Sequence, residues 1–256
     1  MPTTRRDVLK LGAALPIGMT VAPTALRAAS APHPDIYKTA HGEIIIQPIH
    51  HASFVMTVPG MVIYNDPIGG AALYAGEPAP DLILITHQHD DHYDPKTLEA
   101  IVKPATKLVT NRAVYGLLPP ALKAKATAIR NGETTTVNGL KIEAVPAYNT
   151  TKERLKYHPK GRDNGYVLSV DGKRIYIAGD TEDIPSMRAM QDIFIAFVPM
   201  NLPYTMTVDQ AASAVAAFHP TYVYPYHYRG SDPKAFAEKL AATGSKTKVV
   251  FGPWYE

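Results

Sequence analysis

Seven consecutive residues, Thr86-His87-Gln88-His89-Asp90-Asp91-His92, hold three histidines and two aspartates. Neutral imidazole and carboxylate are the side chains suited to zinc, manganese or iron. A tight loop leaving a strand end can aim His87 and His89 at one point while Asp91 and His92 face a neighbouring one. That spacing fits two divalent ions held close together, which is hydrolytic chemistry. A solvated polar loop could contain the same residue types, but this combination at these offsets seldom arises by chance.

The elements around the cluster read as a device for positioning it. Leu82 to Thr86 is an apolar β run that ends at His87, and Asp94-Pro95 behind the cluster is a helix start, with Asp as N-cap and Pro in the first turn. Upstream strands are expected at Glu43 to Gln47, Ser53 to Val58 and Met61 to Asn65, with Gly60 turning the second into the third. Downstream strands are expected at Lys107 to Thr110, Lys141 to Val145, Tyr166 to Val170, Arg174 to Ala178, Ile193 to Val198, Thr221 to Tyr224 and Lys248 to Phe251. Helices fit Lys96 to Val102, Ile184 to Met190, Val208 to Phe218 and Pro233 to Ala241. Strands interspersed with helices predict an α/β protein of stacked layers. Residues 67–80 and 146–165 lack strong periodicity, and loops of that length are expected to wall a site.

Composition narrows the chemistry. The 256 residues include 10 histidines and no cysteine, which excludes thiolate metal sites, disulfide scaffolds and cysteine nucleophiles. The formal charge of +3 resides in the first 31 residues, where Arg5, Arg6, Lys10 and Arg27 face only Asp7. The remainder carries 22 basic and 22 acidic residues, so no nucleic-acid partner is expected. Arg5-Arg6 followed by an apolar stretch to Leu26 and by Ala28-Ala29-Ser30-Ala31 has the order of an export signal and resembles the bacterial twin-arginine type. Residues 1–31 are therefore read as a signal peptide cleaved near Ala28 to Ala31, and residues 32–256 as an exported, periplasmic domain. The twin-arginine machinery is the precursor's expected partner.

The cluster also matches the His-x-His-x-Asp-His signature of the metallo-β-lactamase superfamily, which the chain resembles over about residues 43 to 253. Gly179-Asp180-Thr181 stands where that family places a bridging carboxylate, and Pro225-Tyr226-His227 where it places its last histidine. His51-Ala52-Ser53 and Asp66-Pro67 resemble two further family turns. The stretch from Pro-Ala-Tyr-Asn at 146–149 through His158-Pro159-Lys160 and Tyr204-Thr205-Met206-Thr207 to His227 is similar to the branch containing L-ascorbate-6-phosphate lactonase and a phospholipase D acting on N-acyl phosphatidylethanolamine. The resemblance implies a four-layer αββα sandwich with two divalent ions at one edge, zinc before manganese or iron. It implies His87, His89, Asp91, His92, Asp180 and His227 as ligands, and a metal-bound hydroxide attacking a small ester, lactone or phosphodiester, with Asp91 steering the nucleophile or carrying its proton.

One departure stands out. The resemblance implies another histidine near the position of Tyr148-Asn149, where this chain has Asn149, a poorer ligand. Either His158 completes the first metal's shell, or that metal keeps only His87, His89 and Asp180, or a single ion binds. His51, rather than His50, is expected to face the metal edge, with Asp66, Asn149, Tyr204 and Tyr228 supporting the ligands or meeting substrate. Lys160, Arg162 and Arg229 are expected beside Tyr204 and Tyr228 at the mouth, where their donors suit a phosphate or carboxylate. The rival to a hydrolase of small molecules is an exported metal-bearing protein that binds or senses a ligand.

Overall fold

A computed structural model describes residues 34–255. The expected export segment lies outside the described residues. Seven strands, β1 (Asp35–Lys38), β2 (Glu43–His50), β3 (Ser53–Val58), β4 (Met61–Asn65), β5 (Leu82–Ile85), β6 (Lys107–Thr110) and β7 (Ala126–Ala128), lie side by side in chain order as one sheet. A second sheet repeats the plan with β8 (Thr134–Val137), β9 (Leu140–Ala147), β10 (Asp163–Val170), β11 (Lys173–Ile177), β12 (Ile193–Pro199), β13 (Tyr222–Tyr226) and β14 (Lys248–Val249). In each sheet the first four strands pair antiparallel and the later ones parallel. Asn138-Gly139 and Asp171-Gly172, all at positive φ, close the tight hairpins that open the second sheet.

The parallel strands account for where chemistry can occur. Parallel neighbours run in one direction, so the residues following them gather along a single edge, where α/β sheets collect their ligands. Asp66 follows β4, Thr86-His87 follows β5, Gly179-Asp180 lies just past β11, and His227 follows β13. The two sheets meet at this edge, with the Asn164 N–H donating to the Thr86 carbonyl at 3.1 Å. A β-carbon on Gly179 would lie 2.8 Å from the Asn164 carbonyl oxygen, and φ there is +64°, so both space and backbone require glycine before Asp180.

Burial follows the same plan. The facing sides of the sheets interlock through residues such as Ile46, Phe54, Ile63, Leu84, Tyr166, Ile177 and Phe197. Short helices α1 (Pro95–Ile101), α2 (Arg112–Leu117) and α3 (Pro120–Lys123) bury the outer face of the first sheet through Leu98, Ile101, Val114 and Leu122. Helices α4 (Pro185–Arg188), α5 (Val208–Phe218) and α6 (Pro233–Ala242) cover the second through Met187, Ala211, Val215, Phe236 and Leu240. The result is the expected αββα sandwich. The Asp94 carboxylate caps α1 by accepting from the Lys96 and Thr97 amides, which anchors the chain directly behind the histidine loop.

The structure adds β1, β7, β8, α2 and α3 to the expected elements and ends the last strand at Val249. There the chain leaves the sheet, exposing Phe251, and Gly252 lets the Trp254 ring approach to where a β-carbon would be 2.8 Å from its nitrogen. Trp254 thereby enters the core, and Tyr255 reaches the sheet edge. Phe197 is stacked between Phe54 at 4.1 Å and Tyr224 at 5.0 Å. Phe197→Ala should lower the unfolding free energy by about 3–5 kcal/mol in urea titration, whereas Phe197→Leu should cost well under that.

Candidate metal centre

Two neighbouring groups of ligand atoms form at the sheet edge. In the first, His87 Nε2 and His158 Nε2 approach His89 Nδ1 to 3.1 and 3.2 Å, and Asp180 Oδ2 lies 3.4 Å from His158 Nε2. In the second, His227 Nε2 lies 3.4 Å from Asp91 Oδ2, and His92 Nε2 lies 4.0 Å from Asp91 Oδ1. Asp180 serves both groups, with Oδ1 at 3.3 Å from His92 Nε2 and Oδ2 at 3.3 Å from His227 Nε2. Every residue expected as a ligand is therefore brought together. His158 Nε2 lies with His87 and His89 in the first group, the arrangement that the first of the three alternatives left by Asn149 requires.

Asn149 is the reason it can. Its Oδ1 accepts from both the His158 amide (3.0 Å) and His158 Nδ1 (2.8 Å), while the Asn149 amide N–H donates to the His158 carbonyl (2.9 Å). With the proton fixed on Nδ1, Nε2 presents its lone pair to the cluster. Asn149 Nδ2 donates to the Tyr204 carbonyl at 2.7 Å, which orients the amide. Sequence reasoning missed Glu182, which secures the start of this loop. Its buried carboxylate accepts from the amides of Thr150 and Thr151, from both hydroxyls, and from Arg154 at 3.1 Å. Burial alone would raise the Glu182 pKa, but these donors hold it down at about 2.

A second set of supports begins at Asp66. Its Oδ1 accepts from the Thr86 amide and its Oδ2 from the Thr86 hydroxyl, both at 2.7 Å, and His92 Nδ1 donates to Oδ2 at 2.8 Å. The Thr86 oxygen in turn accepts from His87 Nδ1 at 3.0 Å. One carboxylate thus fixes the tautomers of histidines in both groups, leaving each Nε2 free. Thr86 was not singled out in the sequence, although its place immediately before His87 is the available signal. His51 uses Nε2 to reach Asp91 Oδ2 at 3.1 Å and Nδ1 to reach the Tyr255 hydroxyl at 2.7 Å, which makes it a support of Asp91. His51, Asp66 and His227 all have φ between 40° and 56°, a strained region for residues with a side chain and a frequent mark of functional sites.

Burial and neighbouring charge set the protonation of the cluster, and its unsatisfied buried atoms fit a metal. Burial would raise Asp180, but His227 and His92 outweigh it and hold this carboxylate well below its ordinary range. Burial lowers His158 to about 4 against the pull of Asp180, and lowers His51 to about 4 against its bond to Asp91. His92 moves the other way, because Asp180 and Asp66 overcome its burial. Among the described residues, the buried atoms His92 Nε2, Asp180 Oδ1 and His227 Nε2 have no hydrogen-bond partner. Native structures rarely leave several such atoms together, and a cation among them would satisfy all three.

A cleft of about 980 Å³ opens at the cluster, lined by His89, Asp91 and Asp180 and also by Tyr204 and Arg229. The 146–165 loop contributes Tyr157 and the 67–80 loop Ile68. Three expected mouth residues are employed elsewhere. Arg162 is bound to Asp163 at 2.7 Å, Lys160 sits 5.2 Å above the Tyr148 ring, and Tyr228 packs edge-on against Tyr255 at 4.9 Å beside an adjoining hollow. The supports generate a prediction for metal titrations of the purified chain. Asp66→Asn should weaken metal affinity about 10–100-fold by releasing His92 and His87, and Asn149→Ala should do the same through His158.

Comparison with known proteins accords with this geometry. A profile described as the beta-lactamase superfamily domain matches residues 45–227. A UPF0173 metal-dependent hydrolase of Thermococcus onnurineus is 31% identical over 212 residues, covering 78% of this chain and 92% of the relative. A crystal structure from Parabacteroides distasonis, of a protein assigned to the metal-dependent hydrolases, aligns with a TM-score of 0.78 and 44% identity over 86% of this chain and 98% of that one. Igni18, a metallo hydrolase of the archaeon Ignicoccus hospitalis, aligns with a TM-score of 0.68 and 26% identity over 81% and 94%. These relatives establish the superfamily without resolving the lactonase and phospholipase branch. The chain belongs to the metallo-β-lactamase superfamily, among its metal-dependent hydrolases.

Proposed function

We propose that the cluster holds two divalent ions, zinc before manganese or iron, and hydrolyses a small ester, lactone or phosphodiester. His87 Nε2, His89 Nδ1 and His158 Nε2 would hold one ion, His92 Nε2, His227 Nε2 and Asp91 the other, with Asp180 reaching both. Ions so held lower the pKa of water from about 15.7 to about 7 and polarise the bond to be cleaved. The observation that carries this reading is that buried His92 Nε2 and His227 Nε2, without a hydrogen-bond partner among the described residues, each lie 3.3 Å from an oxygen of buried Asp180.

The chain's own residues supply the rest. Asp91 is the cluster's half-exposed carboxylate, facing the cleft with its side chain 48% accessible. The imidazoles of His227 and His51 beside it outweigh its partial burial and keep it ionised, so it can accept a hydrogen bond from the attacking water and orient it. His51, held by Tyr255, fixes the direction of that carboxylate. Tyr157 and Tyr204, ring to ring at 4.9 Å, form an aromatic wall of the cleft.

Elemental analysis after dialysis should find about two equivalents of metal, and His158→Ala about one fewer. On a panel of lactone, phosphodiester and carboxylic ester substrates, at least one should turn over, and chelation should abolish the rate. Metal-replete protein that hydrolyses nothing on a broad panel would instead favour a binding or sensing role. The proposal includes export by the twin-arginine route, carried by Arg5-Arg6 ahead of the apolar stretch. Changing both to lysine should leave the precursor unprocessed in the cytoplasm, and normal processing of that variant would exclude the route.

A further inference from the structure

Arg229 is the one lysine or arginine among the residues lining the cleft, and no carboxylate pairs with it among the described residues. Its main-chain N–H donates to the Tyr255 hydroxyl at 3.0 Å, and its guanidinium lies 5.7 Å over the Tyr255 ring. Stacking of this kind restricts the side chain while leaving its N–H groups free. Arg229 and His50 are shared between the catalytic cleft and a contiguous hollow of about 470 Å³, whose other walls are Tyr228, Gly230, Ser231 and Tyr255. Among the described residues, no acidic one lines that hollow. The cleft's acids, Asp90, Asp91 and Asp180, all lie on the metal side, and two of them would be neutralised by bound cations.

Resting on the hydrolase reading above, we propose that this hollow is a substrate subsite, in which Arg229 receives an anionic group on the end of the substrate remote from the scissile bond. A planar guanidinium offers paired donors to a carboxylate or a phosphate, two groups sharing one recognition chemistry. The aromatic walls Tyr228 and Tyr255 suit an apolar or ring-bearing spacer next to that anion. Tyr255 couples the subsite to the reaction centre, because the hydroxyl that receives the Arg229 amide also holds His51, which holds Asp91. Substrate seated at the arginine is thereby registered against the carboxylate that orients water.

The test is isothermal titration of the zinc-loaded full chain with 3-phenylpropionate, phenylphosphonate and neutral 3-phenylpropionamide. The wild type should bind at least one anion about tenfold or more tighter than the amide, and the tighter anion distinguishes carboxylate from phosphate. Arg229→Gln should remove that preference while its metal content stays at the wild-type value, and Arg229→Lys should retain part of it. Equal anion affinity in wild type and Arg229→Gln would overturn the subsite, since any anion bound by the metals alone is unaffected by the change. Loss of metal from Arg229→Gln would also overturn it, by placing the effect in the metal centre. Neither result touches the hydrolase reading, which fails only if the wild type holds no metal or turns over no substrate.

Discussion

Asp66 sits fully buried where the two sheets meet, and its carboxylate accepts from the Thr86 amide, the Thr86 hydroxyl and His92 Nδ1. Through the Thr86 oxygen it also governs His87. A buried carboxylate is tolerable only when its lone pairs are used, and here their use dictates which nitrogen of each histidine remains free. The left-handed backbone at Asp66, His51 and His227 costs of order 1–3 kcal/mol at each residue. That strain is borne by a sandwich whose three apolar layers fix the strand ends independently of the loops.

The site needs both halves of the fold. The first sheet supplies the contiguous loop from His87 to His92, and the second supplies Asp180 and His227 from separate strand ends. The loop after β9 brings His158 across, with Asn149 and Glu182 as its fastenings. Asn149 is the acceptor that orients the His158 imidazole, nine residues along the chain.

The sequence was most legible where chemistry is contiguous. His87, His89, Asp91 and His92 could be read because they share one loop behind the apolar strand Leu82–Ile85, and the order of Asp180 and His227 followed from strand ends. His158 could not be decided, because its position depends on bonds such as Thr151 to Glu182, 31 residues apart, which no local pattern encodes. The strand Asp35–Lys38 escaped notice for a similar reason: it is short, and its Tyr37 hydroxyl is held by Tyr224, 187 residues away. Thr134–Val137 is a different failure, since Asn138-Gly139 is a strong hairpin signal that lacked an apolar run before it. Tyr255 carried no signal at all, and its role arises only because Gly252 turns the chain back towards His51.

We propose that two ions share Asp180 and that His158, positioned by Asn149, completes the set around one of them. The most direct measurement is a crystal structure of the zinc-loaded protein with anomalous data collected at the zinc edge. Two peaks are predicted, one bounded by His87 Nε2, His89 Nδ1 and His158 Nε2 and the other by Asp91, His92 and His227, with Asp180 between them. A single peak, or a first peak whose ligands omit His158, would contradict that arrangement.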